Sequence, residues 1–199
     1  MAHIDYFFSL ISPFTYFAGT RLEEMAEKAD ATITYKPLDV IALFARTGGM
    51  PPAQRHPNRQ AYRLQELERA SKKTGLPYHP KPAHFPTNAA PAAYALIAAQ
   101  HAGGGDLGKL AHGLLAACWA REEDIADDTV IQTCLKDSGF DPMLANSGLL
   151  QGAETYTANL EEAVEKGVFG SPFYVVDSGQ NFWGHDRLDD LEAHLSGKL

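Results

Sequence analysis

HIDYFFSLISPFTYFAGTRLEEM (residues 3–25) and TITYKP (32–37) change hydrophobic period twice in quick succession. Residues 3–8 combine Ile, Tyr and two Phe, a run of β-formers that predicts a buried strand at the centre of a sheet. The run gives way at Ser12-Pro13. From there Phe14, Phe17, Ala18, Leu22 and Met25 recur at spacings of three and four, the stripe of one amphipathic helix. Residues 32–36 alternate as a second strand, and Pro37, which has no N–H for a ladder, places that strand at an edge or an exit. The opening unit is β-α-β, with a right-handed crossover if the strands are parallel.

Working outward, residues 46–58 carry Gly48, Gly49, Pro51, Pro52 and Pro57, which predicts a long irregular loop. Tyr62, Leu64, Leu67 and Ala70 then mark a helix that ends near Gly75, followed by a proline-rich stretch over 76–86. Helical patterns follow at 88–102, 107–120, 129–136 and 155–164. Strand character returns at 173–176 and 181–183 around a Ser178-Gly179 turn, which reads as a hairpin. A last helix presents Leu188, Leu191 and Leu195 inward, with Asp186 placed to cap it and Gly197 near its end. The order β-α-β, helices, β-β-α is that of an α/β thioredoxin-like fold interrupted by a large all-helical insertion. Residues 1–37 plus 167–199 would form the thioredoxin-like domain and 38–166 the helical insertion domain.

Composition narrows the function classes. With 45% hydrophobic and 21% charged residues the balance is globular, and Lys plus Arg (17) against Asp plus Glu (25) gives 17 − 25 = −8. No positive field is available to hold nucleic acid or an anionic membrane surface. Cys118 and Cys134 share no CxxC or metal-ligand spacing, so neither a disulfide framework nor a metal site is expected. The N-terminus lacks a basic region followed by a cleavage site, and no long apolar run occurs. The expectation is a soluble, unprocessed cytoplasmic protein. GGGDLGK (103–109) lacks the hydroxyl and the preceding strand of a phosphate-binding loop, and EEDIADD (122–128) lacks the pattern of a calcium loop. His79, His84, His101 and His112 have no ligand partner at a suitable spacing.

The chemistry concentrates at the junction of the first strand and first helix. There Ser12 can cap the helix, Pro13 can occupy its first position, and unpaired N–H groups can receive an anion such as a thiolate. Gly170-Ser171-Pro172 precedes the third strand. In a thioredoxin-like fold such a proline is cis, at a cost of about 0.5–1 kcal/mol, and it faces that helix N-terminus. Asn88, after PTN, reads as a helix cap.

The stretches DYFFSLISPFTYFAG (5–19), KGVFGSPFYVVD (166–177) and NFWGHDRLDDLE (181–192), with CWAREEDIADD (118–128), resemble the 2-hydroxychromene-2-carboxylate isomerases. These group with kappa-class glutathione transferases and DsbA-like proteins, and the resemblance spans essentially the whole chain. It implies glutathione as a cofactor, with Ser12 on its sulfur, Ser171 and Pro172 beside its cysteinyl unit, and His185 and Asp186, with Arg187 nearby, at its γ-glutamyl end. It also implies interconversion of 2-hydroxychromene-2-carboxylate and trans-o-hydroxybenzylidenepyruvate in aromatic degradation, through thiolate addition, bond rotation and elimination. A homodimer and a small aromatic carboxylate substrate belong to the same implication. Lys36, Arg55 and Arg59 are the candidates to hold the substrate carboxylate.

A kappa-like glutathione transferase would share the thiol site and consume glutathione. A DsbA-type oxidoreductase would need a CxxC, and residues 11–14 read ISPF. Kappa-class members carry an Asn-Lys pair after the second strand, whereas this chain departs from them with GGMPPAQRHPN (48–58).

Overall fold

The computed structural model describes residues 2–199. Strand β1 (His3–Phe8) is buried from Ile4 onward and lies inside the sheet, between β2 and β3. It leads into α1 (Pro13–Tyr16) and α2 (Arg21–Lys28), then β2 (Thr32–Pro37). Seven helices follow: α3 (Val40–Thr47), α4 (Pro57–Thr74), α5 (Ala90–Ala102), α6 (Leu107–Trp119), α7 (Asp128–Asp137), α8 (Leu144–Ser147) and α9 (Leu149–Glu165). The hairpin β3 (Phe173–Val176) and β4 (Asn181–Trp183) and the helix α10 (Leu188–Leu195) end the chain. The four strands run in the order β2-β1-β3-β4, with β1 and β2 parallel and the other pairs antiparallel. This is a thioredoxin fold with helices between its two halves.

Alternation along β1 divides the core between the two faces of the sheet. Tyr6 stacks between Phe8 and Tyr174 at 4.4 and 5.2 Å, on the face covered by α1, α2, α5, α6 and α10. Phe7 and Phe173 point the other way, against Leu43, Ala163 and Val168 from α3, α9 and the segment after α9. Each such ring contributes about 1.5–3 kcal/mol by leaving water.

Several local expectations need correction. The first helix is two pieces, because Gly19 adopts φ +62° and the N–H groups of Ala18 and Gly19 bond three residues back to Thr15 and Tyr16. Helix α3 was not expected. VIALFART is a short apolar run whose period is ambiguous, but the Asp39 carboxylate accepts from the N–H groups of Ile41 and Ala42 at 2.9 and 3.1 Å and starts a helix there. The loop foreseen over 46–58 is correspondingly shorter and contains a 3-10 turn at Pro52–Gln54, while α4 begins at Pro57. Asp186 caps nothing: a 3-10 turn, His185–Arg187, precedes α10, and among the described residues no side chain accepts from the N-terminal backbone N–H groups of that helix.

On the α9 side of the sheet, Lys36 sits between acids. Its Nζ lies 2.6 Å from both Glu162 oxygens and 3.1 Å from Asp5, while Lys166 bonds to Asp5 and to Glu162. Burial alone would raise the Asp5 pKa, but hydrogen bonds from Lys166 and Lys36 outweigh it and hold the carboxyl below its ordinary value. A depressed carboxyl stabilises the fold above its unfolded pKa of about 4 and loses that contribution as pH falls through the folded value. Lys36→Met should therefore lower stability by about 2 kcal/mol at pH 7. The difference should shrink in urea titrations below pH 4, and equal midpoints at pH 7 would count against the network.

Candidate active site

Ser12 ends the connection from β1 and opens α1. Its backbone is extended, with φ −87° and ψ 117°, its N–H bonds to Ser9 O at 3.0 Å, and its Oγ accepts from the Thr15 N–H at 3.3 Å. Pro13 fills the first helical position, where its missing N–H costs nothing. The Ser171–Pro172 peptide is cis and faces this turn, and the Ser12 hydroxyl donates to the Ser171 carbonyl at 3.2 Å. The Ser171 hydroxyl is itself fixed by the Ser9 N–H at 2.8 Å and by the Thr15 hydroxyl at 2.9 Å. Both bonds of Ser12 Oγ are long, so the hydroxyl is free to turn toward a stronger acceptor. Among the described residues, nothing accepts from the Ser171 N–H. The site therefore presents one rotatable hydroxyl beside an unoccupied backbone donor.

Helix α1 has a single turn, which changes the electrostatic expectation. A macrodipole needs several aligned peptide units, so the anion-binding capacity here rests on the local hydroxyl and N–H donors.

The Gly184 N–H donates to the Pro172 carbonyl at 3.0 Å and ties the proline loop to the segment after β4. This sets His185, whose ring stacks on Phe14 at 5.3 Å and 19°, next to Ser12 in α1. Burial lowers the His185 pKa and keeps the imidazole neutral at pH 7. His185 and Asp186 line a cavity of about 560 Å³ at the break between α1 and α2, together with Phe17, Arg21, Lys73 and His112. Ser12 and Phe14 do not line the cavity; Phe14 is joined to it through the stacked ring of His185. Arg187 turns to Asp190 at 3.3 Å and Asp186 at 3.7 Å.

The structure thus gathers Ser12, Ser171 and Pro172 into one junction and sets His185 and Asp186 beside it. Lys36 is elsewhere, enclosed by its acidic partners on the α9 face. Arg55 donates to Met50 O at 2.8 Å and lies over the Phe44 ring, and Arg59 is exposed in the first turn of α4. Neither lines the cavity. Asn88 accepts from the Ala90 N–H at 3.1 Å but stands one residue ahead of the N-cap position of α5, which Ala89 occupies.

Sequence reasoning missed Thr15, whose only sign was its position three residues after the cap. It also missed Phe169 and Trp183, half-exposed rings 4.8 Å apart beside Ser171. An ideal Cβ on Gly170 would lie 2.2 Å from the Trp183 indole nitrogen, so only glycine lets that ring sit there. Cys118 and Cys134 are buried and unpaired, and burial pushes the Cys118 thiol up to about 12. Neither thiol is suited to disulfide exchange.

A model described as a DSBA-like thioredoxin domain matches residues 3–196. The chain belongs to the DSBA-like thioredoxin family. Within this family it is 30% identical over 198 residues to a 2-hydroxychromene-2-carboxylate isomerase of Sphingobium xenophagum, covering 96% of this chain and 97% of that protein. An isomerase of the same name from Pseudomonas putida is 26% identical over 204 residues, with 98% and 95% covered. Among solved structures, a 2-hydroxychromene-2-carboxylate isomerase superposes with TM-score 0.79 at 22% identity, covering 98% and 95%. The cytosolic disulfide reductase DsbM of Pseudomonas aeruginosa with GSH gives TM-score 0.70 at 17% identity, covering 98% of each chain. The relatives named as isomerases support an isomerase within the DSBA-like family. No helix among the described residues is long and apolar enough to cross a membrane.

The stacked, buried setting of His185 sets a measurable pH signature. Its pKa should lie below about 6.5 in an NMR titration and should move back toward that value in Phe14→Ala. The folded state disfavours the proton, so this contribution to stability is intact above about pH 6.5 and fades as pH falls through the folded pKa. An unshifted titration would remove His185 from the enclosed site.

Proposed function

We propose that this protein is a glutathione-dependent isomerase that interconverts 2-hydroxychromene-2-carboxylate and trans-o-hydroxybenzylidenepyruvate. The observation that carries the reading is the Ser12 hydroxyl set 3.2 Å from the Ser171 carbonyl, at a cysteine-free strand-helix junction in a chain whose full-length relatives are isomerases. The donor set fits glutathione. A hydroxyl and a free backbone N–H suit its cysteinyl unit, and a cavity lined by Lys73, Asp186 and the Arg21–Asp189 pair suits a zwitterionic γ-glutamyl end.

Bound glutathione would supply a thiol that adds to the ring-opened substrate and later leaves, making a double bond single for long enough to rotate and ending unconsumed. The protein's contribution is to favour the anionic sulfur. Turning Ser12 Oγ onto it replaces a long bond to a neutral carbonyl with a charge-assisted one. The same rotation frees the Ser171 carbonyl, so its N–H and C=O can pair together with an extended peptide. A thiol of pKa about 8.5 is a few per cent ionised at pH 7, and each unit of depression corresponds to about 1.4 kcal/mol. Asp186 and the neutral imidazole of His185 meet the γ-glutamyl end, while Phe169 and Trp183 offer an aromatic surface beside Ser171 for the substrate ring.

The test is the ultraviolet time course of 2-hydroxychromene-2-carboxylate with purified protein, with and without glutathione, counting thiol at the end. Interconversion should require glutathione and leave the thiol undiminished. Ser12→Ala should lower the glutathione-dependent rate by about 10- to 100-fold, as expected for loss of one donor to a developing anion, and lower stability by about 1 kcal/mol through the lost cap. Stoichiometric loss of thiol would instead indicate a kappa-like transferase, and a rate independent of glutathione would contradict the proposal.

A further inference from the structure

Helix α6 is held in the core mainly by apolar side chains, Leu110, Ala111, Leu114, Leu115 and Trp119 among them. His112 breaks this pattern. Gly108 lets α6 close on Glu23 of α2, since an added Cβ would lie 2.6 Å from that side chain. About one turn later His112 meets α1, its ring stacked on Tyr16 at 5.5 Å and 12°. Tyr16 is itself enclosed, and its hydroxyl donates to Pro77 O at 2.8 Å. Packing, rather than a hydrogen bond of its own, fixes the orientation of the imidazole.

The two ring nitrogens are in unlike positions. Nδ1 is enclosed and has no partner among the described residues, whereas Nε2, equally unbonded, is not enclosed. A phenylalanine would make the same stack without an unpaired polar atom, so the imidazole costs stability and returns no hydrogen bond within the chain. As with backbone groups, an enclosed lone pair is tolerated better than an enclosed N–H. The neutral ring therefore carries its proton on Nε2 and presents a donor. His112 lines the cavity of about 560 Å³ that also holds His185 and Asp186.

Both imidazoles of this cavity are kept neutral, by different surroundings. At His185 burial is opposed by Asp186 and Glu66, the larger of the charges acting there. At His112 burial is reinforced by the charge of Arg121, with no acid against it. The His112 end thus favours a negative group and the Asp186 end a positive one. Phe17 separates them, its ring 6.5 Å from that of His185 and 5.3 Å from that of Tyr16.

We propose that His112 is a specificity residue for glutathione, its Nε2–H donating to the α-carboxylate of the γ-glutamyl unit while Asp186 takes the α-ammonium group. This role rests on the glutathione reading above and adds to it the atom that tells the two charges of that unit apart. It also accounts for an imidazole on an otherwise apolar stretch of α6.

Calorimetric titration of wild type, His112→Phe and His112→Gln tests it with three peptides: glutathione, glutaryl-cysteinylglycine, which lacks the α-ammonium group, and 4-aminobutyryl-cysteinylglycine, which lacks the α-carboxylate. His112→Phe keeps the stack on Tyr16 and should weaken glutathione and the glutaryl peptide by about tenfold, the loss of a hydrogen bond to a charged group. The aminobutyryl peptide should bind wild type and His112→Phe alike, within about twofold. His112→Gln, which restores an N–H donor, should recover part of the loss. The thermal midpoint of His112→Phe should not fall, because the ring packing stays and an unpaired polar atom is gone. Equal weakening of all three peptides would make His112 a wall of the cavity and overturn the role. Glutathione affinities within about twofold in wild type and His112→Phe would overturn it while leaving the glutathione reading intact. No binding of glutathione to wild type would overturn that reading and this role with it.

Discussion

The hydrogen bond from Ser12 Oγ to the Ser171 carbonyl joins residues 159 positions apart, and the placement of every other site residue refers back to it. It exists because β1 and β3 are antiparallel neighbours, with Phe7 opposite Phe173, so the end of one strand meets the beginning of the other. The helices α3 to α9 are inserted between the two halves without separating them. Tyr6, Tyr174 and the buried residues of α5 and α6 form one continuous cluster, so the junction is carried on a packed core.

The two faces of the sheet carry different electrostatic solutions. On the α9 face, Asp5, Lys36, Glu162 and Lys166 neutralise one another almost completely, and burial makes that pairing tight. Around Ser12 the polar groups are neutral and Ser12 Oγ is itself loosely bonded, and the nearby cavity mixes both signs. A satisfied network fixes structure, while incompletely engaged donors leave capacity for a ligand.

Much of this was legible in the sequence where local chemistry dictates structure. The central strand could be read because residues 3–8 concentrate Ile, Tyr and two Phe, the hairpin because Gly179 accepts the φ of +86° that its turn needs, and the Ser12 cap from Ser-Pro alone. What could not be read depends on distant partners. Lys36 looks like a free cation until the fold brings Glu162 to it across 126 residues, and Thr15 gains meaning only from Ser171, 156 residues away. Asp186 looked like a cap because nothing local revealed the 3-10 turn that displaces it. The helical stripe on both sides of Gly19 concealed that the first helix breaks there and is only one turn long.

The central claim is that this junction stabilises a thiolate, and the most direct measurement is the pKa of the bound glutathione thiol, followed by absorbance near 240 nm in wild type and Ser12→Ala. The account predicts a value at least about one unit below the free thiol's 8.5 in wild type, shifted back toward it when the hydroxyl is removed. A bound thiol that titrates like the free one, or a depressed value that is the same in both proteins, would contradict it.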